Sequence, residues 1–417
     1  EHRHCVRTQR GRTIEGVIHP KVRSGLKRLA FLLLAAWGCG SPGSDGPVED
    51  VLEVSVHRVL RIGSIDGPDD SFAPITAMAV TPDGHRVIVL ENQTRLVKFF
   101  NSEGDLVKVA GGPGGGPGEF GNPMALGVFG DTVWVADAMS FRYSFFSPDG
   151  EFLGDFRPTI LARQSPEDRP PRPGMMLDDG QLTGSIAIFS RDQAQGLIDE
   201  APLLLMDRSG AVLDTLLWRP LSNTAWMIQP DPPDPVRGEV HTSQPFSPKW
   251  PYLVSGRQER VFRVTEDVSG SALEATDFSG QLLFRRQLGL VGPEVSSSDV
   301  EAVLDLWSDR LSQSGFGEGV PEAELREWLR ASLFVPERLP PVSEIKLSSA
   351  GDIWLGLRAA DPDAPQVWRV FGKDGELKYD VSLPSGFQLK EIRARKLWGV
   401  EQDELDVSYV VKLEVTE

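Results

Sequence analysis

Cysteine is nearly missing from this chain of 417 residues: only Cys5 and Cys39 occur. Downstream of Cys39 there can be no disulfide and no thiolate-ligated zinc, so packing alone must stabilise the body of the chain. Histidine is scarce too. Past residue 39 only His57, His85 and His241 remain, too dispersed for metal-ligand spacing. Long apolar runs are absent as well. The strongest, Leu29–Trp37, has nine residues, where a membrane-spanning helix needs about 20. Basic charge is the last deficit, with 43 Lys and Arg against 60 Asp and Glu and a net charge of −17. No basic cluster offsets it, which argues against a surface that tracks nucleic-acid phosphates. There is also no G-x-S-x-G elbow and no Ser-His pairing of the kind nucleophilic hydrolases use.

The first residues carry an export grammar. Arg23, Lys27 and Arg28 precede the short apolar run, and Gly38-Cys39-Gly40-Ser41 follows it, an order of basic, apolar and small segments. Gly38-Cys39 resembles the lipobox of bacterial lipoproteins, which implies cleavage before Cys39 and lipid attachment to it. The expectation is a leader and lipoprotein-type signal over residues 1–39 and a flexible tether over 40–51, where SPGSDGPVED is rich in Gly, Pro and acid. No methionine precedes Met78, and translation from a valine codon at Val22 is the matching expectation. Residues 1–39 hold 8 basic and 2 acidic side chains, so their removal leaves a still more acidic protein. Gly40-Ser41 lacks the aspartate that retains lipoproteins at the inner membrane in some bacteria. The expected location is therefore the bacterial outer membrane or periplasm, by lipid anchor only.

What the chain has in abundance is a repeat. Val87–Gly104 lies without gaps over Val133–Gly150 at a 46-residue period, with Glu91 over Asp137, Phe99-Phe100 over Phe145-Phe146 and Gly104 over Gly150. The second unit reads as four short strands, near 124–129, 132–137, 142–147 and 152–156, rich in β-branched and aromatic residues. Leu203–Leu213, Leu273–Leu283 and Gly351–Gly375 repeat the strand–turn–strand ending, and Phe387–Val415 supplies three alternating runs without a fourth. Leu52–Ile62 is a strand with no neighbour and can supply that fourth. Four-stranded units of 40–50 residues in series predict an all-β fold, a six-bladed β-propeller over residues 52–417. Its N- and C-terminal strands share the closing blade, which removes an open edge.

Three stretches interrupt the units. Pro158–Pro173 and Pro220–Gln244 are rich in Pro, Asp and Arg and read as surface loops. Residues 293–340 read as a helical hairpin inserted between blades four and five. Val300, Val303, Leu304, Trp307 and Leu311 share one face, and Leu325, Trp328, Leu329 and Leu333 another. Ser298 with Glu301 three residues on is the expected N-cap, and Pro321 the expected start of the second helix.

Gly118-Glu119-Phe120, Pro123, Val133–Asp137, Arg142 and Asp149-Gly150 resemble an NHL repeat, well matched in this unit, moderately in Ile75–Gly104 and in outline elsewhere. In the first unit Leu96 stands where the repeat has arginine. The resemblance implies a propeller and casts Asp137 and Arg142 as framework: an ion pair or side chain–backbone hydrogen bonds that stiffen the turn between them. Some NHL-type propellers are metal-dependent lyases using several histidines, which this chain lacks. Related six-bladed lactonases hold calcium with Glu, Asn and Asp on inner strands, for which Glu91, Asn92, Asn122 and Asp137 are the nearest candidates. The Gly111–Gly118 run lacks a G-K-[ST] ending and is no phosphate loop. Trp134 and Trp354 read as core between blades, and Trp307 and Trp328 as the seam of the hairpin.

The functional expectation is a monomeric, non-enzymatic, lipid-anchored propeller that binds a protein, peptide or glycan partner through its loop face, with no cofactor. Asp137, Arg142, Glu91, Asn92, Trp307 and Trp328 are the candidate binding residues. The alternative is a calcium-dependent hydrolase or lactonase with its site in the central channel.

Overall fold

The computed structural model describes residues 53–416 apart from 66, 68–69, 161–168, 187, 189–197, 222, 231–237 and 362. The leader, the tether and Cys39 lie outside the described residues.

The chain is mostly β, and its strands assemble as successive four-stranded antiparallel sheets, an arrangement consistent with a β-propeller. The first comprises β2 (Ile75–Val80), β3 (Arg86–Glu91), β4 (Leu96–Asn101) and β5 (Leu106–Gly111). The second comprises β6 (Pro123–Phe129), β7 (Thr132–Asp137), β8 (Arg142–Phe146) and β9 (Phe152–Phe156). The third holds β10 (Pro171–Met176), β11 (Leu182–Ile186), β12 (Glu200–Met206) and β13 (Val212–Pro220). The next holds β16 (Tyr252–Ser255), β17 (Arg260–Asp267), β18 (Gly270–Asp277) and β19 (Leu282–Gln287). Then β20 (Val342–Leu347), β21 (Ile353–Leu357), β22 (Gln366–Phe371) and β23 (Leu377–Leu383) form one half of an eight-stranded sheet. Its other half runs β24 (Gln388–Arg393), β25 (Lys396–Gln402), β26 (Ser408–Thr416) and β1 (Glu53–Ile62). Strand β1 is antiparallel to β26 from Ser55–Thr416 to Ile62–Val410, and two parallel pairs, Glu53–Asp380 and Val54–Val381, attach it to β23.

A recurring turn sets the repeat. Between the third and fourth strands of five sheets, Gly104, Gly150, Gly210, Gly280 and Gly375 adopt φ between 81° and 98°, a region costly for residues with a Cβ. Each donates its N–H to a carbonyl three residues back, 2.9–3.2 Å away. The ladder shifts register just before each turn, at Phe99/Phe100, Phe145/Phe146, Leu205/Met206, Ala275/Thr276 and Val370/Phe371. A tight turn followed by a left-handed glycine and a bulge is a common hairpin solution, and it explains why this ending is the most regular part of the sequence.

The leading strands of successive sheets meet at the centre: β2 contacts β6 and β24, and β20 contacts β16 and β24. Aliphatic and aromatic side chains fill the space between sheets, as where Phe99, Phe120, Val133 and Phe146 join the first sheet to the second. Strand direction then decides where loops can go. In each sheet the turns after the first and third strands fall on one end, and there they are tight, from two residues at 130–131 to five at 348–352. The connections between sheets all leave from the opposite end, where the leading strands begin. That end is the loop face, and it carries 112–122, 288–341 and the described residues of the other connections between sheets.

Two expectations are corrected here. The stretch 220–244 is more than loop, because β14 (Ala225–Ile228) pairs with β15 (Val240–Ser243). Trp226 and Ile228 are fully buried there, under the inserted helices α1 (Ser297–Ser312) and α2 (Glu322–Ser332). The cap of α1 is Ser296, with Asp299 completing the capping box; Glu301 is turned to α2 instead, where it pairs with Arg326 and Arg330.

Candidate functional site

The Asp137 carboxylate is 2% exposed and accepts hydrogen bonds from four backbone amides: Gly121 at 2.6 Å, Met139 at 2.9 Å, Ser140 at 3.1 Å and Asn122 at 3.2 Å. Burial by itself would raise its pKa, but these amides, Gly121 foremost, outweigh burial and hold it below the ordinary value. Arg142, its ladder partner across the turn, does not pair with it. The guanidinium is buried and donates to the carbonyls of Gly115 (3.1 Å), Gly116 (3.0 Å) and Glu119. Together the two side chains tie the Gly/Pro crossing of 112–122 to the second sheet. That crossing also needs Gly111, whose φ is +95° and where a Cβ would lie 2.6 Å from the Arg95 carbonyl oxygen.

Glu91 is likewise spent internally. One oxygen meets Lys98 Nζ at 2.8 Å and the other accepts from Thr94 Oγ1 at 2.7 Å. Asn92 donates to Asn122 Oδ1 and to the Pro123 carbonyl, each at 2.8 Å. Of the four residues considered for calcium, Asn92 and Asn122 meet through their side chains and Asn122 meets Asp137 through its backbone N–H, and both carboxylates are already held by protein donors. These residues do not fit a calcium ion. Among the described residues, no group of three or more His, Cys, Asp or Glu side chains is placed to hold a metal.

Trp307 and Trp328 lie in the satellite core that α1 and α2 form with β14–β15. Trp328 is buried against Phe316, and half-buried Trp307 meets Trp226 edge-on at 5.4 Å. Gln244 staples the helices down, donating to the Ser332 carbonyl at 2.8 Å and accepting from the Phe334 N–H at 3.1 Å.

Beside this insertion, on the loop face, the end of β13 and the starts of β16 and its preceding loop enclose a cleft of about 550 Å³. Trp218, Trp250 and Tyr252 contribute aromatic faces, and Trp218 is 54% exposed. Arg219 lies 5.6 Å from the Tyr252 ring, a cation–π distance that pre-orients both groups. Neither Arg219 nor Lys249, both in the wall, has a carboxylate partner among the described residues. Arg263 does, with Glu274 at 2.8 Å. The cleft thus presents two cations without a carboxylate partner, Arg219 donating only to the Tyr252 hydroxyl at 3.4 Å, with three aromatic rings and one carboxylate, Glu266, in a protein of net charge −17.

At the centre, β10, β16, β20 and β24 surround a second cavity of about 500 Å³. Charged side chains occur there where the first two leading strands have none. Strands β2 (ITAMAV) and β6 (PMALGVF) are uncharged, whereas β20 (VSEIKL) brings Glu344 and Lys346, and β24 (QLKEIR) brings Lys390, Glu391 and Arg393. Neither the cleft nor this cluster was foreseen. The cleft residues are scattered through irregular sequence, but the cluster had a signal: charge at the same strand position in only some units.

No family model matches the sequence, and no curated protein matches it. Among solved structures, the chain is similar to a member of the DUF4221 family from Bacteroides vulgatus, with 12% identity over 88% of this chain and 99% of that one and a TM-score of 0.46. It is also similar to the PQQ-bound aldose sugar dehydrogenase of Streptomyces coelicolor, with 12% identity, coverage of 87% and 98%, and a TM-score of 0.39. A gluconolactonase of Xanthomonas campestris follows at 9% identity, 88% and 99% coverage and a TM-score of 0.36. At this identity and superposition the likeness reaches no residue of the cleft or the central cavity.

Proposed function

We propose that the chain is a monomeric six-bladed propeller, lipid-anchored outside the cytoplasm through Cys39, that binds an acidic glycan in the cleft on its loop face. The six four-stranded units would be the blades, β1 completing the last, with α1 and α2 inserted between the fourth and fifth. The observation that carries the reading is the cleft itself. Exposed aromatic faces stack on the apolar faces of sugar rings, while unpaired cations select carboxylates. Elsewhere the acidic surface repels anions, so Arg219 and Lys249 concentrate attraction at one place. No catalytic role is assigned to the cleft.

The test is binding of polygalacturonate, neutral dextran and polyglutamate to the full chain. Polygalacturonate is expected to bind best, and Trp218→Ala and Arg219→Ala are each expected to weaken it about tenfold, close to 1.4 kcal/mol. Equal binding of dextran would remove the charge argument. Tighter binding of polyglutamate would make the partner an acidic peptide, and variants indistinguishable from the parent would remove the cleft.

A further inference from the structure

The central cavity shares only Tyr252 with the glycan cleft, and one cation in it is unaccounted for. Lys390 occupies the bulge that shifts the β24 ladder between Leu389 and Glu391. Bulges re-aim side chains, and Lys390 and Glu391, although adjacent in the chain, line the same cavity. Lys390 also lines a neighbouring pocket of about 520 Å³ on the loop face, so it stands between the two.

The charged neighbours are satisfied among themselves. From β20, Lys346 Nζ meets Glu344 Oε1 at 2.7 Å. From β24, Arg393 meets Glu391 at 3.2 Å and the Val80 carbonyl at 2.7 Å. Across the cavity, Asp178 accepts from the Arg257 N–H at 2.9 Å and Ser255 Oγ at 3.2 Å. In the adjoining pocket Arg358 donates to the Pro340 carbonyl at 3.1 Å, and Asp361 accepts from the Asp363 N–H at 2.9 Å. Tyr252 is the remaining titratable group in the wall. The Lys390 ammonium alone has no hydrogen-bond or ion-pair partner among the described residues.

A half-buried charge without a partner is costly, and it has two remedies: it sheds its proton, or it acquires a counter-ion. Burial, aided by Lys346 and opposed by Glu344, pushes the Lys390 pKa down. Burial also raises the Glu391 carboxyl, against the pull of Arg393 and Lys346. Apolar surface completes the cavity, from Met175, Leu253, Val254 and Leu347.

We infer that the central cavity is a binding site for a small amphipathic monocarboxylate, its carboxylate on Lys390 and its apolar tail against Met175, Leu253 and Leu347. A bound carboxylate favours the ammonium form, so binding takes up a proton wherever free Lys390 is partly neutral. Affinity is then greatest at low pH and weakens as pH rises through the lowered lysine pKa.

The experiment is calorimetric titration of the full chain with hexanoate, acetate and hexan-1-ol. Hexanoate is expected to bind at least about tenfold more tightly than either of the others. Lys390→Met should cost hexanoate about tenfold or more, while Lys390→Arg retains it. Hexan-1-ol binding as well as hexanoate, or Lys390→Met leaving hexanoate unchanged, would overturn the inference. Should Lys390→Met fail to fold, the parent protein decides. Its hexanoate affinity must fall as pH rises toward the ordinary lysine value near 10.5, with a heat that depends on buffer ionisation; a flat profile overturns the site.

Discussion

Four backbone amides converge on the Asp137 carboxylate, in a place water barely reaches. Asparagine there would offer one acceptor and present an N–H₂ to amides that can only donate. Asp137→Asn is expected to cost about 3 kcal/mol of stability at neutral pH, measured by chemical unfolding. The sign of the pH effect follows from the lowered pKa. The carboxylate contributes fully above the ordinary aspartate value near 3.8 and loses its contribution as pH falls through the lower folded value. The gap between parent and variant should therefore close in acid; a gap independent of pH would mean the carboxylate's charge is immaterial. Asp137 and Arg142 stand out in the sequence as a pair, yet their partners do not. Those partners are main-chain groups of the glycine-rich crossing and of the turn itself, and every residue type supplies the same amide and carbonyl. Spacing alone cannot separate an ion pair across a turn from two side chains that each hold the backbone.

At the scale of elements, legibility tracks periodicity. The helices α1 and α2 are readable because their apolar residues recur at helical spacing over several turns. Strands β14 and β15 are four residues each, too short for alternation to register within a stretch full of proline and aspartate. The cap of α1 is missed by two positions because Ser296, Ser297 and Ser298 all have capping chemistry, and only the helix start distinguishes them. The hidden hairpin matters mechanically, since it is the floor on which the helices rest. Trp226 is completely buried there and donates to Ser332 Oγ at 3.1 Å. Trp226→Ala should remove about 3–5 kcal/mol from this satellite core and release the helices before the sheets unfold. Limited proteolysis would show it as early cleavage within 288–341 with the rest of the chain protected. Cleavage no faster than in the parent would mean that the helices are held by the sheets themselves.

The whole molecule is governed by two rules of chain direction. Connections between sheets all exit on one face, and both the cleft and the helices α1 and α2 lie on it. The repeated turn glycines made the units legible in the sequence, but the direction argument needs the strand pairing. The second rule is closure, since β1 adds the fourth strand to β24–β25–β26 and touches β23 as well. Removing residues up to 62 should expose the β26 and β23 edges, lower the thermal midpoint and yield oligomers that pair through those edges. Light scattering together with thermal unfolding would check this, and a monomer of unchanged midpoint would refute it. The closing strands also impose an order in time. Ser55 and Thr416, joined by a 3.0 Å hydrogen bond, are 361 residues apart in the chain. The other sheets form from neighbouring segments, whereas this one cannot form until β26 has been synthesised, and contacts at such separation are slow to find. During that wait the first strand is an unpaired edge, open to a chaperone or a protease. A nonsense mutation just before β26 would then leave β1 without its antiparallel partner, a loss out of proportion to the few residues removed.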